Sequence, residues 1–135
     1  MALSCETEER LDAKIKELFL GSVPKYYDHT IKVVTKMKEI LGPDAAHHEV
    51  PVLAAYLHDI GYCARHGQVY AGEIEDQEVK IRVHSALGEE LARSILNELE
   101  VAPSITERVA YLVSVHHQEG LDDPDLKLLL QADTL

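Results

Sequence analysis

Six residues of this chain have the types and the spacing of a metal site: His29, His58, Asp59, His84, His116 and Asp133. There are 8 His among 135 residues, and their placement matters more than their number. His29 lies one helical turn before Val33 and two before Met37. His84 precedes Leu87 by three and Leu91 by seven. His116 follows Leu112 by four, Val113 by three and Val109 by seven. Asp133 follows Leu129 by four, Leu130 by three and Leu126 by seven. Spacings of three, four and seven share one face of a helix. Four helices therefore each aim a His or an Asp inward along their own apolar stripe.

Taken singly, an inward His is an ordinary core residue with one hydrogen bond, and one Asp–His pair is a buried hydrogen bond. An inward carboxylate is costlier, because burial without a cation or donors is strongly unfavourable. Imidazole nitrogens and carboxylate oxygens converging from separate helices form a donor set for a divalent transition metal. Such a set suits iron, manganese, cobalt, nickel or zinc and suits calcium poorly. No cysteine cluster offers a thiolate site. A carboxylate has two oxygens and can bridge two ions, and Asp59 is the natural candidate. His58 and Asp59 close an apolar helix just before Ile60-Gly61, where glycine permits a sharp exit. Ala54 and Ala55, one turn back, let another helix approach closely.

The elements that must position these residues read as helices joined by short turns. Leu11, Ile15, Leu18 and Phe19 mark a first helix ending near Gly21. Pro24 opens a second, with Ile31, Val34, Met37 and Leu41 on one stripe and Gly42-Pro43 as its stop. Pro51 suits the first turn of a third, which runs to Gly61. Residues 62–80, with Gly67, Gly72 and an acidic stretch, read as a long loop with at most a short helical piece, crossing the surface near Asp59. Leu87, Leu91, Ile95 and Leu99 define a fourth helix. Ser104 and Glu107 form an S-x-x-E capping box for a fifth, which ends near Gly120. Asp123-Pro124 starts a sixth. The expectation is an all-α fold: one domain over residues 1–135, a compact bundle of five to six helices.

Composition agrees. Gly and Pro number only 7 and 5, Trp is missing and Phe occurs once, so the core must come from Leu, Val, Ile and Ala. The formal net charge of −11 makes the chain a poor binder of nucleic acid or anionic membrane. A phosphorylated ligand would need a local cation, which a bound metal supplies. Cys5 and Cys63 suggest no disulfide framework. The N-terminus lacks the apolar core of a signal peptide and no run is long enough to span a membrane, so a cytoplasmic location is expected. The chain stops two residues after Asp133 within an apolar helix. Either the sixth helix is very short, or a partner chain, as in a homodimer, covers the terminus.

The ordered series His29, His58-Asp59, His84, His116-His117 and Asp133 resembles the HD superfamily of metal-dependent phosphohydrolases. The motifs that carry the resemblance are DHT at 28–30, YLHDIG at 56–61, HSALGEELA at 84–92, VHH at 115–117 and QAD at 131–133. It runs from about Tyr26 to the C-terminus and implies the six-ligand form of the site. His29, His58, Asp59 and Asp133 would hold one ion, and His84 and His116 would join Asp59 around a second. His117 either ligates as well, if its helix ends there, or faces the substrate. The cofactor implied is one or two divalent transition ions, iron or manganese first. The implied activity is cleavage of a phosphate ester or anhydride by an activated water.

The chain also departs from the pattern. Many relatives carry a Lys after HDIG that contacts phosphate; here the residue is Tyr62. Arg65, His66 or Lys32 could substitute, each being otherwise a solvated surface charge. Residues 116–125, HHQEGLDDPD, lack the Gly-Tyr-Pro motif of the cyclic-di-GMP phosphodiesterase branch, and Lys25 replaces an acidic residue often found there, which argues against a third metal. Asp59, with Lys32 and Arg65, makes up the expected catalytic group, acting on a nucleotide or dinucleoside polyphosphate. Two other functions share the ligand set: a di-iron oxygenase, to which Tyr26 and Tyr27 beside His29 would be relevant as iron shields, and a non-catalytic metal- and nucleotide-binding module.

Overall fold

The apolar stripes become six helices: α1 (Cys5–Leu20), α2 (Lys25–Leu41), α3 (Glu49–Leu57), α4 (Gln77–Glu98), α5 (Pro103–Val115) and α6 (Pro124–Asp133). The structure is a computed structural model and describes residues 3–134. Local chemistry sets several helix starts. The Ser4 hydroxyl accepts the Thr7 N–H, the Asp76 carboxylate accepts the Val79 N–H, and Asp123 accepts from Asp125 and Leu126. Gly42 ends α2 at a φ of 73°, in the left-handed region that favours glycine.

The apolar helix α3 is the hub. Every residue from Pro51 to Leu57 is buried, and α3 touches α1, α2, α5 and α6. Leu11, Ile15 and Phe19 of α1, Met37 of α2 and Leu126 and Leu129 of α6 close around Leu53 and Leu57. A helix that is apolar all round must be enclosed on all sides. Its C-terminus, where His58 and Asp59 follow, is therefore delivered to the interior. None of the described helices is long and apolar enough to cross a membrane.

Residues 62–80 are not a long loop. A 3-10 turn covers Ile60–Cys63, strands β1 (Arg65–His66) and β2 (Val69–Tyr70) pair antiparallel, a second 3-10 turn covers Ala71–Glu73, and α4 begins at Gln77. Strands of two residues and single turns are too short to show a period in the sequence. The first turns of α4 are mostly polar and hid its start. The segment does not simply cross the surface either: Tyr62, Cys63, Ala71 and Gly72 are buried. The expected capping box is likewise not formed. Ala102 precedes α5 with no side-chain cap, Pro103 supplies the first-turn geometry, and Glu107 pairs with Arg93 of α4 at 2.7 and 3.0 Å. α5 stops at Val115, earlier than Gly120, with His116 at its cap.

Gly61 serves close approach rather than a sharp exit, since its φ is not positive. A Cβ built there would lie 2.0 Å from the His84 carbonyl oxygen and 2.9 Å from the Gly88 backbone nitrogen. The turn after Asp59 thus lies directly on the α4 backbone, and only a residue without a side chain fits. Gly61→Ala is expected to lower stability by about 3 kcal/mol or more, the upper range for overpacking against atoms that cannot move aside. Urea unfolding measures it, and a midpoint within error of the parent would refute the constraint.

Candidate metal centre

Five of the six helices, α2 to α6, deliver residues to one place. His29 comes from α2, His58 and Asp59 from the end of α3, His84 from α4, His116 and His117 from the end of α5, and Asp133 from the last residue of α6. His58, Asp59, His84 and His116 are buried, His29 and Asp133 are half-exposed, and His117 is exposed.

Asp59 sits in the middle and divides its two oxygens. Oδ2 lies 3.2 Å from His58 Nε2 and 3.6 Å from His29 Nε2. Oδ1 lies 3.6 Å from His84 Nε2 and 3.8 Å from His116 Nε2. Two donor groups stand on either side, His29, His58 and Asp133 in one and His84, His116 and His117 in the other. Within each, ligand atoms lie within 4.8 Å of one another. In the first group Asp133 Oδ1 is 2.8 Å from His29 Nε2 and 3.4 Å from His58 Nε2.

Ring orientation decides which nitrogen faces inward. His58 Nδ1 is 2.8 Å from the Ala55 carbonyl oxygen and His116 Nδ1 is 2.8 Å from the Val113 carbonyl oxygen. A carbonyl only accepts, so each Nδ1 carries the proton and donates it, which leaves Nε2 in the neutral ring with its lone pair directed into the site. His58 Nε2 is fully buried without a hydrogen bond, and the Nε2 atoms of His84 and His116 face each other at 3.4 Å. Buried imidazole nitrogens that converge on one another and on a carboxylate fit a cation among them. His84 is held differently. Its Nδ1 has no partner, and the ring lies flat on Tyr62, centroids 3.7 Å apart and planes at 4°. Tyr62 in turn stacks on Tyr26 at 4.3 Å. Gly72 backs this stack, since a Cβ there would come within 2.9 Å of the Tyr26 ring.

The charges follow from this packing. Burial opposes ionisation of Asp59, but the neighbouring imidazoles, His58 first, outweigh it and hold the carboxyl well below its usual range. Asp133 is lowered too, against burial, by His58 and His29. Burial works against a charged His58, yet Asp59 and Asp133 raise its pKa to about 10. Burial lowers His84 to about 3 despite the pull of Asp59, and lowers His117 to about 4 with help from His116.

Two sequence candidates stay outside the centre. Lys32 is exposed on α2 and does not line the cavity over the site. Arg65 is exposed on β1, its guanidinium 5.0 Å from the Tyr70 ring centroid. That cavity, about 370 Å³, is lined by His29, Asp59, His117 and Asp133 with Lys25, Tyr26 and Tyr62. Sequence reasoning missed Lys25 as a wall of the site. Its position one turn before His29 was the available signal. Tyr62, noted only as a missing Lys, is the ring on which His84 rests. Tyr27 lies away, its hydroxyl donating to Asp12 at 2.8 Å.

A family model described as HD domain matches residues 26–135. No curated protein and no solved structure matches the chain.

Without metal, two of these histidines pull stability in opposite directions with pH. The stabilising effect of a charged His58 is complete below its unfolded pKa of about 6.5 and is lost as pH rises toward 10. The neutral, buried His84 has its full effect above about 6.5 and loses it as pH falls, because only the unfolded chain then takes up its proton. Asp59 and Asp133, both lowered, add a further loss at acid pH. The metal-free chain should therefore be most stable near pH 6.5. Urea midpoints between about pH 5 and about pH 9 test this, and a midpoint rising steadily across that range would contradict it.

Proposed function

The chain belongs to the HD domain family of metal-dependent phosphohydrolases, and we propose that it binds two divalent ions bridged by Asp59 and cleaves a phosphate ester or anhydride of a nucleotide. The observation that carries the two-ion reading is the division of the Asp59 carboxylate, one oxygen toward His29, His58 and Asp133 and the other toward His84, His116 and His117. The mixed nitrogen and oxygen donors favour iron or manganese, with zinc, cobalt and nickel next. Nucleotides and dinucleoside polyphosphates are the proposed substrate class.

Divalent ions in such a site lower the pKa of a water and neutralise charge on phosphoryl oxygens. The chain's own residues prepare the place. Asp59 and Asp133 are ionised throughout the physiological range and bring negative charge to the ligand cluster. His84 and His117 are neutral there, so neither must release a proton before it binds. The two carboxylates favour the charged form of His58, so to hold an ion it would give up its Nε2 proton while Nδ1–H stayed fixed on Ala55. The flat Tyr62 ring covers one face of His84 and keeps water from it. His117 is the exposed member of its group and lines the cavity from which substrate enters. Its place at the end of α5 supports a ligand role, because the helix has stopped and consecutive side chains can turn to the same side.

Elemental analysis of the purified chain should give about two ions of iron or manganese. His84→Ala should retain about one. Asp59→Ala should retain none, unfold more easily and lose kcat/KM by about a thousandfold or more on nucleotide substrates. Unchanged metal content in Asp59→Ala would end this assignment. Oxygen uptake by the iron form without phosphate release would move the reading to an oxygenase, and tight nucleotide binding without turnover to a binding module.

A further inference from the structure

We propose that Lys25 is the residue that grips the phosphoryl oxygens of the substrate beside the ions, a role the sequence offered to Lys32 or Arg65. The inference rests on the phosphohydrolase reading above. Lys25 is the one Lys or Arg among the residues lining the cavity over His29, Asp59 and Asp133. No carboxylate of the described residues lies within ion-pair distance of it, so its ammonium is available to a ligand.

Lys25 lines that cavity, whereas Lys32, exposed on the same helix three residues after His29, does not. Lys25 is also the first residue of α2, and no preceding turn covers it. Its Nζ lies 5.2 Å from the Tyr26 ring centroid. Tyr26 stacks on Tyr62, and Lys80 of α4 places its own Nζ 5.6 Å from the Tyr62 ring. Lys25 stands one turn before His29, and Lys80 one turn before His84. Each lysine rests on one ring of the same aromatic stack, which holds the ammonium by cation–π attraction without neutralising it. In a chain of net charge −11, with two carboxylates in the site itself, a cation fixed on the wall also draws an oxyanion inward.

The test is orthophosphate binding to the manganese-loaded full chain by titration calorimetry, alongside turnover of a nucleotide substrate. Lys25→Met should weaken orthophosphate about tenfold or more, with metal content unchanged, and Lys25→Arg should recover most of the loss. Lys36→Met, an exposed change on α2, should stay within about twofold. Lys25→Met binding orthophosphate as tightly as the parent would overturn the inference. So would a loss seen in Lys32→Met or Arg65→Met but not in Lys25→Met. If the parent binds orthophosphate through Lys25 yet hydrolyses nothing, the proposed function falls and the Lys25 contact stands. If the parent hydrolyses substrate and Lys25→Met matches it in both measurements, the contact falls and the function stands. A parent that binds no orthophosphate overturns the Lys25 contact, and if it also hydrolyses nothing the proposed function falls with it.

Discussion

The bundle is organised around a carboxylate that cannot be buried alone. Asp59 is 6% exposed and keeps its charge in the interior. Four imidazoles, from α2, the end of α3, α4 and the end of α5, stand within 4 Å of its oxygens. A buried charge with too few partners costs several kcal/mol. The ends and faces of these helices are therefore tied to one point. In the metal-free chain a charged His58 meets part of that need, and a bound cation would add to it.

The sequence meets this constraint with backbone as much as with side chains. Gly61 lets the turn after Asp59 lie on α4, where its own Cβ would collide with the His84 carbonyl, and a Cβ on the facing Gly88 would crowd the Val113 side chain and the Gly61 backbone. That contact sets how far His84 can stand from Asp59. α3 gives the centre no side chain of its own, and the one hydroxyl it buries, that of Tyr56, donates to Glu8 of α1. Its apolar surface, enclosed by α1, α2, α5 and α6, carries the following His58 and Asp59 inward. The arrangement explains why a glycine and an apolar helix belong to the metal centre as much as its ligands do.

Most of the fold, and the residues that converge at the candidate site, could be read from the sequence. All six helices announce themselves by apolar stripes, and the inward His and Asp residues share the period of those stripes. What stayed hidden depends on tertiary contact. Residues 62–80 hold elements of two to four residues ahead of α4, too short for periodicity to register. Glu107 read as a cap because its spacing from Ser104 allows one, yet a bidentate pair with Arg93 took it instead. Tyr62 read as a missing Lys, because stacking on His84 is a contact between segments that no local pattern encodes. Lys25 was legible by the same one-turn rule that placed His29, but cationic side chains were sought downstream of the motifs rather than before them.

The two histidines that face each other across the second donor group are not equally fixed. His116 is pinned through its Nδ1–H to Val113, whereas His84 has only the Tyr62 ring beneath it. Stacking resists tilt out of the plane but allows rotation within it. One imidazole is thus an anchor and the other a sliding jaw. The gap between them can widen or narrow to follow an ion's radius without disturbing α5. A change in the spacing of this donor group is therefore taken up on the side of His84.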